Sequence, residues 1–260
     1  MRGLLNVQFA VRGQTLYVLE ANPRASRTVP FVSKAVGIPL AQWAALVLSG
    51  KTLAELGATH VPEPRLVSVK KPVLPFNRFP GEDSLLGPEM KSTGEVMGRD
   101  VDFGYAFAKA HAGAGEALPT AGTAFFSLAD GDKRAALFLA RKLADFGFHL
   151  LATRGTWRFL TMNGIECERV LKVNEGSPNV VDRIGAGDVH LVINTPLGRD
   201  SHFDEKAIRA AAVAHGVPCV TTIQGATAAV AAIESQIRRP LDVRHLQEED
   251  ALTAAGGGPA

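Results

Sequence analysis

The chain has 260 residues, enough for one large domain or two small ones with a sizeable buried core. Its 28 Lys and Arg against 26 Asp and Glu leave a formal charge of +2, a balance that argues against nucleic acid or a membrane surface as partner. Two cysteines without CxxC spacing, no apolar run of spanning length and no signal-peptide pattern predict a reduced, cytoplasmic protein.

Residues 4–12 and 15–20 are apolar or alternating and flank Gly13-Gln14, which predicts a β-hairpin. Gln8 lies on the first strand, Glu20 ends the second, and Asn22, Pro23 and Arg24 follow. One carboxylate and two amide oxygens at adjacent strand ends can ligate Mg²⁺. Arg24 and Arg27 can neutralise phosphate oxygens. A polar hairpin turn accounts for the same residues without a ligand. Residues 40–48 have helical spacing and stop at Ser49-Gly50, and 52–56 read as a second short helix closed by Gly57. From 62 to 98 Pro and Gly are frequent, with short strands predicted at 67–69 and 73–76. A helix follows at 103–111, and Gly113-Ala114-Gly115 reads as a linker, so the expected domains are 1–115 and 116–260. The Gly256-Gly257-Gly258 run is expected to fray.

Beyond the linker the pattern is regular. Strands are predicted at 123–128, 149–152, 168–173, 189–194 and 217–222, and helices at 132–146, 158–163, 202–215 and 226–236. That alternation predicts an α/β fold, a parallel sheet covered on both faces. Ligands of such sheets bind outside the carboxyl ends of strands, near a topological switch point. Lys133 follows the first strand, in Gly131-Asp132-Lys133. Thr153 and Thr156 follow the second, in Leu150-Leu151-Ala152-Thr153-Arg154-Gly155-Thr156, which reads as a strand end, a tight turn and a helix start. Backbone N–H groups there form a seat for phosphate. Lys172 ends the third strand, Asn194 and Thr195 the fourth, and Thr221-Thr222 the fifth. Singly, these are a Thr N-cap and solvated lysines; together they suit a phosphorylated small molecule.

No nucleophile or general base stands out. Cys167 and Cys219 lack a His partner, and His149, His190 and His202 lack metal-ligand spacing. Asp182 and Asp188 read as helix-capping or salt-bridged carboxylates rather than as bases. The second part is equipped to bind rather than to react, and no catalytic residue is assigned.

Asn6-Val7-Gln8-Phe9-Ala10-Val11 followed by Leu19-Glu20-Ala21-Asn22-Pro23-Arg24-Ala25-Ser26-Arg27-Thr28 resembles the end of the second ATP-grasp unit of the carbamoyl-phosphate synthetase large subunit. The resemblance continues through Pro75-Phe76-Asn77-Arg78-Phe79-Pro80-Gly81 and Leu86-Gly87-Pro88-Glu89-Met90-Lys91-Ser92-Thr93-Gly94-Glu95-Val96-Met97-Gly98. It implies that Gln8, Glu20 and Asn22 occupy metal-ligand positions for Mg²⁺ (or Mn²⁺), with Arg24 and Arg27 near the phosphates of ATP. The rest of an ATP-grasp site is missing, so the isolated chain is expected to be inactive. The second part resembles the methylglyoxal-synthase-like domain that ends the same subunit, through Gly131-Asp132-Lys133, Ala152-Thr153-Arg154-Gly155-Thr156, Lys172-Val173-Asn174-Glu175-Gly176, Asp182-Arg183-Ile184 and Ile193-Asn194-Thr195. The implied fold is a three-layer parallel-sheet domain preceded by an incomplete ATP-grasp α+β segment. The implied role is regulatory: Lys133, Thr153, Thr156, Lys172, Asn194 and Thr195 would bind a nucleotide monophosphate effector, uridine or inosine monophosphate. A glutaminase small subunit and self-association are implied for the intact enzyme, with pyrimidine and arginine biosynthesis as its pathways.

Two departures bear on ornithine, an activator in some members. Lys71 and Val220 stand where the ornithine-responsive pattern has carboxylates, which predicts weak or absent ornithine binding. A stand-alone methylglyoxal synthase acting on dihydroxyacetone phosphate is the alternative. It is disfavoured because Gly176-Ser177-Pro178-Asn179 replaces the Gly-Gly-Asp-Gln type segment of that enzyme. The cyclohydrolase domain of a bifunctional purine enzyme shares the sheet but would not carry residues 1–110.

Overall fold

Two antiparallel strands, β1 (Asn6–Arg12) and β2 (Thr15–Asn22), turn at Gly13, whose φ of 62° is the left-handed backbone such a turn requires. The protein is described by a computed structural model over residues 1–60, 63–78, 84, 94–195 and 202–248. Most of the matching run from Leu86 to Gly98, the Phe79-Pro80-Gly81 segment and the tail at Gly256 lie outside the described residues. The chain divides into two units, Met1–Leu66 with Val243–Ala260, and Val67–Asp242.

In the first unit the hairpin is followed by α1 (Thr28–Val36) and α2 (Leu40–Leu48), which are bent 111° from one another at Gly37 (φ 70°), Ile38 and Pro39. Helix α1 was not legible because Pro30 interrupts the pattern; in a first turn, where its missing N–H has no intrahelical partner to lose, Pro is tolerated. The helix predicted at 52–56 is a run of turns instead. Thr52 and Glu55 do form a cap, with Thr52 N–H donating to Glu55 Oε2 at 2.7 Å, but Gly57 (φ 64°) ends the segment before a helix develops. Ile38 is the one buried hydrophobic residue among the described residues of this unit, while Phe9, Val11, Leu16, Val18 and Leu19 are more than half exposed.

The second unit begins with β3 (Val67–Val73) paired antiparallel to β4 (Gly94–Asp100), where two short strands had been expected on one side and none on the other. Helix α3 (Phe103–Gly113) packs on this pair. A Cβ on Gly98 would fall 2.0 Å from the Ala106 carbonyl oxygen, so the strand lies against the helix backbone.

The parallel sheet contains β5 (Thr123–Ser127), β6 (His149–Thr153), β7 (Glu168–Val170), β8 (Leu191–Asn194) and β9 (Cys219–Val220), in the spatial order β7-β6-β5-β8-β9. The chain winds from β5 outward to β7, then returns to the other side of β5, so the switch point lies between β5 and β8. The intervening helices are α4 (Lys133–Asp145), α5 (Arg154–Met162), α6 (Val180–Gly185) and α7 (His202–Ala214), with α8 (Ile223–Arg238) last. Strand residues alternate between two cores. Phe126, Leu150 and Ile193 pack with Leu139, Leu143 and Leu160 of α4 and α5 and with Ile233 of α8. Phe125, Leu151 and Val192 pack with Val180, Ile184 and Ile208 of α6 and α7. These are the three layers expected.

Helix α3 joins the first of those cores through Ala108. A Cβ on Gly104 would lie 2.6 Å from the Ala231 carbonyl oxygen of α8. Asp102 caps α3 by accepting from Tyr105 N–H at 3.0 Å, and it also accepts from the Ser235 hydroxyl at 2.7 Å. That hydroxyl is the leading cause of its lowered pKa. The Gly113-Ala114-Gly115 segment expected as a linker is therefore the carboxyl end of a helix inside the second unit, whose compact part starts at Val67.

Candidate functional site

The register aligns the polar strand ends. Thr153 pairs with Val170, Ser127 pairs with Asn194, and Phe126 pairs with Ala152, so Thr153, Ser127 and Asn194 form one row on one face of the sheet. All three are buried, as are Thr156 and Thr195. Five polar residues at one strand edge would be destabilising without hydrogen-bond partners. Several of their partners lie in the loop that leaves β5. Thr156 Oγ1 accepts from Leu128 N–H at 3.1 Å, Thr195 Oγ1 accepts from Ala129 N–H at 2.9 Å, and Thr195 N–H donates to Ser127 O at 3.0 Å. The two hydroxyls hold Leu128 and Ala129, the first residues of this loop after β5.

Lys133 opens α4, and its Nζ is 2.6 Å from Asp130 Oδ1. The same Nζ lies 3.3 Å from the position of a Cβ on Gly155, so the ammonium sits over the first turn of α5. That turn follows directly from Thr153, whose side chain makes no capping bond, and first-turn N–H groups have no intrahelical acceptor. The Lys133 bond is the leading cause of the lowered pKa of Asp130.

The structure thus gathers Lys133, Thr153, Thr156, Asn194 and Thr195 around the strand ends at the switch point. Edge strand β7 ends at Val170, short of the predicted 173, and Lys172 follows as the amino cap of a 3₁₀ turn, with its N–H donating to Glu175 Oε2 at 3.0 Å. Its ammonium makes no hydrogen bond or ion pair to the other five among the described residues. Thr222 caps α8, accepting from Gly225 N–H at 3.1 Å.

Arg209, which sequence reading passed over, is fully buried on α7; its Nη1 donates to Asn194 Oδ1 at 3.2 Å and is 3.9 Å from Glu205 Oε2. An arginine within an amphipathic helix reads as a solvated residue, so no local signal marks it. Ser127, at a strand end, and Asp130, in a turn, were also missed, since a lone polar residue at such a place carries no local signal.

Several other polar groups singled out in the sequence have structural partners. Asp182 accepts from Asn179 N–H and from the Ser177 hydroxyl, both at 2.8 Å, and Asp188 pairs with Arg183 at 2.9 Å. His190 Nδ1 accepts from Thr123 N–H, and His149 pairs with Glu168 at 2.9 Å. Neither cysteine forms a disulfide among the described residues, and burial pushes the Cys167 thiol up to about 12, away from thiolate reactivity. Lys71 pairs with Glu116 at 3.0 Å.

In the first unit Gln8 and Glu20 lie opposite one another across the β1–β2 ladder, and Asn22 Nδ2 donates to Glu20 Oε1 at 2.9 Å. The register places these three residues on one face of the hairpin. Arg24 Nη1 donates to Ala25 O at 3.2 Å, and Arg27 is the residue preceding α1.

In the second unit the strand ends of a doubly wound parallel sheet thus collect buried hydroxyl, amide and cationic groups. Residues 135–221 match the family described as MGS-like domain, and residues 1–56 match the carbamoyl-phosphate synthase L chain, ATP binding domain. The chain is 55% identical over 251 residues to the carbamoyl phosphate synthase large chain of Nostoc sp. PCC 7120, covering 95% of this chain and 23% of that protein. It is 52% identical over 256 residues to that of Myxococcus xanthus, covering 98% and 24%. For Archaeoglobus fulgidus the figures are 53% over 247 residues, 95% and 23%. The chain is similar to the C-terminal portion of these carbamoyl phosphate synthase large chains and spans about a quarter of their length.

Proposed function

We propose that this sequence works as the regulatory end of a carbamoyl-phosphate-forming ligase, with Val67–Asp242 binding a nucleotide monophosphate effector at the β5/β8 switch point. The observation that carries this reading is the loop after β5, pinned by Thr156 and Thr195 and bearing Lys133 over the start of α5. Lys133 supplies a point charge, and hydroxyls and backbone N–H groups supply direction, the combination a phosphate monoester takes. Lys172 would reach the ligand from the neighbouring strand end, and Asn194 would meet the ribose or base. Among the described residues no nucleophile is paired with a base at these strand ends, which favours binding over turnover. Effector binding would act on a distant ATP site through a coupling free energy of about 1–3 kcal/mol.

The first unit would complete an ATP-grasp site formed with upstream chain. Gln8, Glu20 and Asn22 would hold Mg²⁺ or Mn²⁺, which neutralises phosphate charge, and Arg24 and Arg27 would approach the phosphates of ATP. The glutaminase small subunit and self-association belong to the intact enzyme, and the isolated chain would form no carbamoyl phosphate. Lys71 and Val220 would leave ornithine's amines without carboxylate partners.

Calorimetric titration of uridine and inosine monophosphates into the chain tests this. Saturable binding by wild type, weakened at least tenfold in Lys133→Ala, is the expected result. Equal affinity in the two proteins, or release of methylglyoxal from dihydroxyacetone phosphate, would overturn it.

A further inference from the structure

Asn194 is wholly buried at the end of β8, and its two carboxamide ends differ in circumstance. Oδ1 accepts from the Arg209 guanidinium at 3.2 Å, whereas Nδ2 is buried with no hydrogen-bond partner among the described residues. A guanidinium is donor-only, so the atom facing it must be the oxygen, and this fixes the amide's orientation. Arg209 is itself held from its own helix, one turn away, by Glu205, at 3.9 Å and equally buried. Leaving an amide N–H₂ buried and unpaired is destabilising unless something supplies an acceptor. Asn194 shares its row with Thr153 and Ser127, at the switch point where the ligand is proposed to enter.

We infer that Arg209 is a positioning residue for this crevice: by holding the Asn194 oxygen, it presents Nδ2 as a dedicated donor to an acceptor oxygen of the ligand. The inference rests on the reading of the crevice as a nucleotide site, and it adds selectivity. A ligand offering a carbonyl or phosphoryl oxygen at this point is accepted, while one offering only an N–H or O–H donor meets another donor.

A double-mutant cycle tests the assignment, with uridine monophosphate as probe, in wild type, Arg209→Met, Asn194→Ala and the pair. Arg209→Met is expected to weaken binding at least tenfold, and to have little further effect once Asn194 is alanine. Independent, multiplicative losses would overturn the role, because a merely structural Arg209 would weaken binding whatever occupies position 194. If Arg209→Met fails to fold, Arg209→Lys keeps the charge and serves in the same cycle with the same two outcomes. Solvent exchange of the Asn194 side-chain amide protons in the ligand-free chain separates this inference from the nucleotide reading. Exchange faster in Arg209→Lys than in wild type supports the fixed amide even if no nucleotide binds. Unchanged exchange contradicts it even if nucleotide does bind.

Discussion

At the scale of single residues, the crevice depends on hydroxyls used as backbone acceptors. Thr156→Val keeps the shape of the side chain but leaves the buried Leu128 N–H without its acceptor, a loss of about 1–3 kcal/mol. Urea denaturation should show a lower midpoint with an unchanged slope, and an unchanged midpoint would contradict that role. Asp130 acts in the other direction. Its exposed carboxylate takes the Lys133 ammonium that a phosphate would need, so Asp130→Asn should bind uridine monophosphate more tightly by calorimetry, with little change in stability. His111 adds a pH dependence. Burial, aided by the nearby Lys71 cation and opposed by Glu116, pushes its pKa from 6.5 down to about 4. The folded chain therefore holds this imidazole neutral, while the unfolded chain protonates it below 6.5. Stability from this group is present above that value and is lost as pH falls toward 4, by about 2–4 kcal/mol in total. Denaturation midpoints measured across that window should fall less steeply in His111→Leu than in wild type.

At the scale of elements, α3 is the joint that makes Val67–Asp242 one unit. Gly98 and Gly104 let its backbone touch β4 and α8, and neither position has room for a methyl group. Gly104→Ala should lower stability by about 1–3 kcal/mol in chemical denaturation; no loss would mean the helix is not so closely held. This contact also explains what could be read in advance. Strands β5, β6 and β8 and helices α4 and α8 were legible because apolar runs and the spacing of Ala136, Leu139, Ala140 and Leu143 express burial directly. Strand β4 and the packing of α3 were not, because small residues such as Gly98, Gly104 and Ala108 pack closely without producing a strong periodic signal. The polar groups at the strand ends were legible one by one as candidates, since strand ends of such sheets collect them. Arg209 was not, because only the tertiary contact with Asn194 distinguishes it from a surface cation.

At the scale of the whole molecule, the two units differ in how much they bury. The second has two cores on either side of its sheet, while the first has Ile38 as its one buried hydrophobic residue among those described, and a hairpin exposed on both faces. An isolated two-stranded hairpin is marginal in water. Backbone hydrogen exchange in the full chain should therefore be fast over residues 6–48 and slow in β5, β6 and β8. Comparable protection in both would show that the first unit is stable on its own. Its exposed apolar strands fit a segment completed by further chain, as the relatives' greater length allows.

The most direct test of the central claim is amide chemical-shift mapping of the labelled chain during titration with uridine monophosphate. Saturable shifts concentrated at Leu128–Lys133, Thr153–Thr156, Lys172 and Asn194–Thr195 are the predicted result. Shifts confined to the β1–β2 hairpin, or no saturable shifts at all, would contradict a nucleotide site at the switch point.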